Sequence, residues 1–263
     1  MPGAAWFWAA IALYGVAGGL YLGFLVGLKE SATRAARAAL VLGFAAHACE
    51  IGARGLAGLH PVTSVREALG LLAWLTVGAY LAAGLYWKLH AVGAFVAPAA
   101  VAILSTARLS PDPGGGGTEG LGVLGRVHIS LATAGVAIFA LAAALAVLYL
   151  VQERQLKHKH LGRVVRKGAA LETLDTLVHR CVQVGFPIFT VAMVTGALWS
   201  ARRAGGLRPE YSLSMVAWAA FAALLVARMT AGWRGRKAAL MTIVGFASAA
   251  VVLGIYLARH VGA

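Results

Sequence analysis

Long apolar runs alternate along the chain with short charged connectors, and the runs have the length of membrane helices rather than of strands. Eight can be marked: Ala5 to Leu28, Ala38 to Ala57, Ala68 to Trp87, Ala91 to Leu109, Ile129 to Val151, Val182 to Ser200, Leu213 to Val226 with its flanks, and Ala238 to Leu257. A helix crosses the hydrocarbon core with roughly 20 residues, so the pattern predicts an all-α fold: a polytopic membrane helical bundle of about eight transmembrane helices. No polar stretch is long enough for a separate soluble unit, and residues 1–263 read as one integral membrane domain. The organising stretch runs from Arg126 to His160. Its apolar part, Ile129 to Val151, is free of charge, with His128 at one membrane surface and Glu153, Arg154, Lys157, His158, Lys159 and His160 crowded at the other.

Composition strengthens this picture. Hydrophobic residues make up 60% of the chain and charged residues 12%, outside the range of soluble domains. The 33 glycines fit helices that approach closely in lipid, where small residues drive packing. The formal charge of +14 invites a nucleic-acid reading, but the basic residues lie in short loops. Fifteen Lys and Arg fall in odd-numbered loops and 8 on the other side. The positive-inside rule places the first set in the cytoplasm and both termini outside, and it removes the need for nucleic acid. The partner implied by composition is the lipid bilayer, and the location expected is the inner (cytoplasmic) membrane. The start, MPGAAWFWAA, lacks a basic region and a small-residue cleavage pattern and reads as a retained span. Cys49 and Cys181 form no CxxC pair and read as small apolar residues.

Two loops stand out. The external segment SPDPGGGGTEGLGVLGR is rich in Pro and Gly and reads as a flexible tether. On the cytoplasmic side, Leu171, Leu174, Leu177 and Val178 recur at helical spacing among charges between Gln152 and Cys181, which predicts a short amphipathic helix on the membrane surface.

Hydrolase, metalloprotease and phosphate-loop motifs are absent from the sequence, so no catalytic residue is assigned. The histidines carry the remaining chemistry. His60, His128 and His260 share the external face, and imidazole is a common ligand of haem iron. Arg126 precedes His128 by two residues and Arg259 directly precedes His260, as suits a ligand with carboxylates. His128 and His260 form a bis-axial pair if spans five and eight are neighbours; interfacial anchoring is the competing account. His60 sits in a turn beside Pro61. His47, Glu50 and Arg54 lie on one face of span two, as an intramembrane site or as a set of mutually satisfied groups.

The stretches GRVHISLATAGVAIFALAAALAVLYLVQERQLK, LDTLVHRCVQVGFPIFTVAMVTGALWS and ARMTAGWRGRKAALMTIVGF resemble the cytochrome c assembly superfamily, in particular its CcsA and HemX-like branch, and GLHPVTSVREALGLLAWL resembles the segment before its third span. The resemblance implies haem b held at the external surface, with His128 and His260 as the metal ligands. Arg126, Arg202, Arg203 and Arg259 would then face the propionates, with Trp199 and Trp218 flanking the porphyrin. It implies haem handling rather than catalysis of an organic reaction, and a membrane or periplasmic cytochrome c assembly partner. The HemX-like branch implies a different role: a haem-free regulator acting through the cytoplasmic loop on glutamyl-tRNA reductase. Two features of the superfamily are absent. The tryptophan-rich segment ending in WDPKE is replaced by the shorter SARRAGGLRPEYSLSMVAW, and Val226 and Ala227 precede Arg228 where the synthases carry an intramembrane histidine.

Overall fold

The computed structural model describes residues 3–27, 29–110, 122–159, 168–202 and 209–261, without the side chains of 209, 210, 256 and 259–261. Eight α-helices account for the described chain: α1 (Ala4–Val26), α2 (Ser31–Leu56), α3 (Val65–Ala83), α4 (His90–Leu109), α5 (Gly122–Lys157), α6 (Leu171–Arg202), α7 (Pro209–Thr230) and α8 (Arg236–Val261). Each contains a stretch long and apolar enough to cross a membrane. The tether between α4 and α5 falls mostly on 111–121, outside the described residues.

Hydroxyls inside the helices bond to the carbonyl one turn back, as in Thr76 to Leu72 at 2.8 Å and Thr242 to Ala238 at 2.9 Å. A hydroxyl that satisfies itself in this way crosses the bilayer at little cost. The start of α3 is fixed by Ser64, whose Oγ accepts from the Glu67 backbone N–H at 3.2 Å. Proline is accommodated inside α4 because Gly18 of α1 lies opposite Pro98; a Cβ at Gly18 would stand 3.2 Å from the ring.

The bundle is assembled around α5. It packs along α6 and also against α3, α4 and α8, while α1 joins α2 to α4 and α7 lies chiefly on α8. Three apolar cores share it. Leu141, Leu145 and Leu148 enter the core beneath α1–α4, Phe139 and Ala142 enter the core with α6–α8, and Ala137 enters a third with Leu69, Leu72 and Ala107. Phe139 stacks on Phe221 of α7 at 3.8 Å between ring centroids and meets Phe189 of α6 edge-on at 5.6 Å.

One sequence expectation is corrected. The segment around Leu171–Val178 is no separate surface helix; it is the first part of the 32-residue α6, continuous with the sixth span. Leu174, Leu177 and Val178 are buried in the core against α5 rather than turned to lipid headgroups. The amphipathic spacing was right, but the apolar face found a neighbouring helix. Asp175 fastens this extension: Arg228 at the end of α7 donates through Nη1 and Nη2 to its two carboxylate oxygens at 3.1 and 2.7 Å, and the Gly235 backbone N–H donates to Oδ1 at 2.8 Å. Residues 160–167, with His160 among them, lie outside the described set. Cys49 faces outward rather than into the bundle, and Cys181 is half-buried.

Candidate functional site

The N-terminal end of α5 and the C-terminal end of α6 build a small site from two close helix approaches. Gly196 of α6 lies against the His128 ring, so that a Cβ there would stand 2.6 Å from Cε1 and 2.7 Å from Nδ1. Gly125 of α5 gives the same room to Trp199, whose indole carbons would be 2.9 Å from a Cβ at that position. The two glycines interlock the helices, and each receives the other helix's aromatic ring. The rings of His128 and Trp199 are 6.0 Å apart with 36° between their planes.

His128 is oriented by its backbone neighbour across the interface. Nδ1 is 2.7 Å from the Ala192 carbonyl oxygen. A carbonyl only accepts, so Nδ1 carries the proton and the lone pair of the neutral ring is on Nε2. One ring nitrogen donating to a carbonyl and the other binding a metal is the usual arrangement for a ligating histidine.

The other predicted residues divide by position. Trp199 belongs to the His128 site, and Arg202, exposed, follows it by three residues at the end of α6, one turn further out on a neighbouring face. Arg126 is exposed and, two residues from His128, points about 200° around α5 from it. Trp218 stands on α7, against α6 and away from His128: its Nε1 donates to Thr190 Oγ1 at 3.0 Å and its ring is 5.5 Å from that of Phe186. Arg203 lies outside the described residues. The backbone of α8 runs through Arg259 and His260, whose side chains lie outside the described set. Spans five and eight are neighbours: Leu253 and Leu257 of α8 pack into the core that contains Val136 and Ala137 of α5. The start of α5 and the end of α8 thus lie at the same end of the bundle.

His60 is exposed in the α2–α3 turn, where its carbonyl accepts from Thr63 Oγ1 at 2.8 Å. His47 is fully buried and meets the Tyr14 hydroxyl through Nδ1 at 3.3 Å. The expected face of His47, Glu50 and Arg54 is therefore split: Arg54 turns to Glu67 of α3, with Nε donating to Oε1 at 2.8 Å and Nη2 to the same oxygen, while Glu50 stays 3.8 Å from its Nε.

Sequence comparison now bears on this arrangement. The cytochrome C assembly protein family matches residues 62–262. The chain belongs to that family. Among its relatives, the cytochrome c biogenesis protein CcsA of Microcystis aeruginosa is 27% identical over 250 residues, covering 74% of this chain and 76% of the relative. The protein of the same name from Guillardia theta is 27% identical over 212 residues, covering 72% and 70%. That of Gloeobacter violaceus is 40% identical over 90 residues, covering 33% of this chain and 27% of the relative. Family membership and eight apolar helices together make the chain a multi-pass membrane protein. The matched region begins at α3 and contains the whole α5–α6 site. Three participants in that site were not read from the sequence: Gly125, Gly196 and the Ala192 carbonyl.

Proposed function

We propose that this protein handles haem for cytochrome c assembly, and that it holds haem b at the external face of the inner membrane with His128 and His260 as axial ligands. The observation that carries the reading is the hydrogen bond from His128 Nδ1 to the Ala192 carbonyl, which leaves the Nε2 lone pair for a metal. The adjacency of α5 and α8 supports the pairing with His260. Bound haem supplies an iron centre that accepts two imidazole nitrogens. The chain's own contribution is orientation: Gly196 admits the imidazole, Ala192 fixes its tautomer, and Trp199 borders it. Arg202 supplies positive charge at the end of α6 for the propionates, Arg203 and Arg259 are the further arginines that the family resemblance implies for them, Arg126 faces away from His128 on α5, and Trp218 of α7 stands deeper against Thr190 of α6. The partners are then membrane or periplasmic assembly proteins, and residues 1–263 act as one membrane domain joined through α5.

The test is the absorption spectrum of the protein purified from haem-sufficient cells. A Soret band with low-spin bis-histidine character is expected, reduced in His128→Ala and in His260→Ala. Unchanged haem content in the double variant overturns the assignment.

A second reading draws on the length of α5 and α6, 36 and 32 residues, which carries their paired cytoplasmic ends beyond a hydrocarbon core of about 30 Å. In this reading the chain is a HemX-like regulator, and that platform meets glutamyl-tRNA reductase. Co-purification of the reductase with the parent, lost on charge reversal at Arg154 and Lys157, supports it; no co-purification counts against it.

A further inference from the structure

The α1–α4 half carries a second polar assembly, at the end of the bundle away from His128, that the haem reading does not use. The last turns of α1 and α3 and the first turns of α2 and α4 enclose one open cavity of about 250 Å³, whose lining includes Tyr21, Arg37, Tyr80, Trp87 and His90. Its place along the bundle follows from Arg180, in the early part of α6, whose guanidinium carbon lies 5.8 Å from the centre of the Trp87 ring. Gly196 and Trp199 of the His128 site stand at the far end of that same helix.

Packing fixes the floor of this cavity. The Tyr21 and Tyr80 rings are buried and meet edge-on at 6.2 Å, and the Tyr80 hydroxyl donates to the Leu89 carbonyl at 3.3 Å. Both rings press on α4 at Gly93, where a Cβ would stand 2.6 Å from the Tyr80 hydroxyl oxygen and 2.7 Å from the Tyr21 ring. On the wall, Arg37 donates through Nη1 to the Gly84 carbonyl at 3.1 Å. That acceptor is neutral, and the bond holds the guanidinium beside the cavity while engaging only Nη1 of its planar fork. The charge of Arg37 reaches Tyr21, Tyr80 and His90, so the polar groups of the lining share one positive centre.

No carboxylate lines the cavity among the described residues. Around it Lys29, Arg34, Arg37 and Lys88 stand against Glu30, which is exposed and acts on His90 from outside the lining. The first turn of α4 begins at His90 with no side-chain cap from Leu89, and its dipole adds to the same positive potential. Between the lining residues Gly84 and Trp87, the chain exposes Leu85 and Tyr86, an apolar rim with an interfacial aromatic ring.

We propose that this cavity binds a phosphate oxyanion at the membrane–water boundary, carried by an anionic lipid headgroup or free in solution. Arg37 is the principal contact, because a guanidinium fork matches two oxygens of a phosphate, and His90 flanks it. The apolar rim at Leu85 and Tyr86 favours the lipid, whose glycerol and acyl region would lie there. Basic pockets between membrane helices take such headgroups, and a zwitterionic one is disfavoured because its ammonium meets the same positive charge. The site lies on helices other than α5 and α6, so occupancy does not depend on haem.

The experiment uses the full chain in nanodiscs of phosphatidylcholine alone, of phosphatidylcholine with phosphatidylglycerol, and of phosphatidylcholine with added inorganic phosphate. Thermal unfolding midpoints and phosphatidylglycerol retention by native mass spectrometry are read for the parent, for R37Q and for H90K. Losing the charged donor at position 37 should weaken anion binding by roughly tenfold or more. H90K places a permanent charge at the mouth, on a stem that can still pack against Phe24, and should strengthen binding roughly two- to fivefold at low salt. That gain is one a misfolded variant cannot give. A response to phosphatidylglycerol identifies the lipid as source, and a response to inorganic phosphate alone identifies the free anion. A parent that responds to neither, an R37Q variant that binds as the parent does, or an H90K variant that binds no better than the parent overturns the proposal. The Soret band of R37Q should match that of the parent, which separates this site from the haem assignment.

Discussion

Gly196 and His128 are in contact across the α5–α6 interface, with space for a hydrogen at position 196 and none for a methyl. The contact explains how an imidazole on one helix reaches the Ala192 carbonyl on another at 2.7 Å. Gly196→Ala should therefore push the ring off that carbonyl. The cost of overpacking is about 1–3 kcal/mol, visible as a lower unfolding midpoint in detergent. On the haem reading, the same variant should shift or broaden the Soret band while His128 remains present. Gly196→Ala with an unchanged midpoint and spectrum would show that the ring has freedom this packing denies it.

Gly125 supplies the reciprocal test. A methyl there meets the Trp199 indole at 2.9 Å, and the neighbour is a rigid ring rather than the end of a flexible chain. Gly125→Ala should lower stability by about 1–3 kcal/mol, and Trp199→Ala introduced beside it should recover part of the loss. Additive effects of the two changes, measured by thermal unfolding as a double-mutant cycle, would deny the contact.

The eight spans were legible because hydropathy over some 20 residues is a strong signal, and α5 was recognisable as the organising helix from its uninterrupted apolar length. The limits of α6 were not. Glu172, Asp175 and Arg180 break the apolar run, but they do not break the helix, since hydropathy marks where lipid ends and not where the backbone hydrogen bonds end. The partner of Asp175 lies 53 residues away at Arg228, beyond the reach of any local pattern. The candidate site was half visible in the same sense. His128 and Trp199 stood out as side chains, whereas the Ala192 carbonyl is a backbone group that every residue possesses, and Gly125 and Gly196 were two among 33 glycines.

Asp175 makes its own prediction. It accepts two bonds from Arg228 and one from the Gly235 backbone, where φ is +64° and a side chain is disfavoured. Both charges are mostly buried, at 12% and 13% exposure for Arg228 and Asp175. Asp175→Ala leaves the guanidinium uncompensated and should cost about 3 kcal/mol. Asp175→Asn, which keeps the acceptor for Gly235, should cost less. Proteolysis of the chain between α5 and α6 should quicken in the same order, and equal protection in all three proteins would remove Asp175 as the fastening of α6 to the α7–α8 turn.

The last prediction separates pairing from charge in the α2–α3 contact. Arg54 and Glu67 are 3% and 8% exposed, so removing either alone strands its partner in a poorly hydrated place. Glu67→Gln keeps the shape and an acceptor oxygen but discards the charge. Glu50, 3.8 Å from Arg54, can then take up part of the interaction, and the loss should fall below the 3–5 kcal/mol typical of a broken buried pair, at about 2 kcal/mol. Glu50→Gln with Glu67→Gln removes both anions and should cost more than the two single changes added together, because the first substitution leaves a substitute and the second does not. Arg54→Met with Glu67→Leu takes away the cation as well and should lie closer to the parent than either charge-stranding variant, since a buried ion pair replaced by apolar groups of similar volume loses little. Unfolding midpoints of these variants in a single detergent decide the matter. A strictly additive Glu50 and Glu67 pair would mean that the two carboxylates act on Arg54 independently rather than as substitutes for one another.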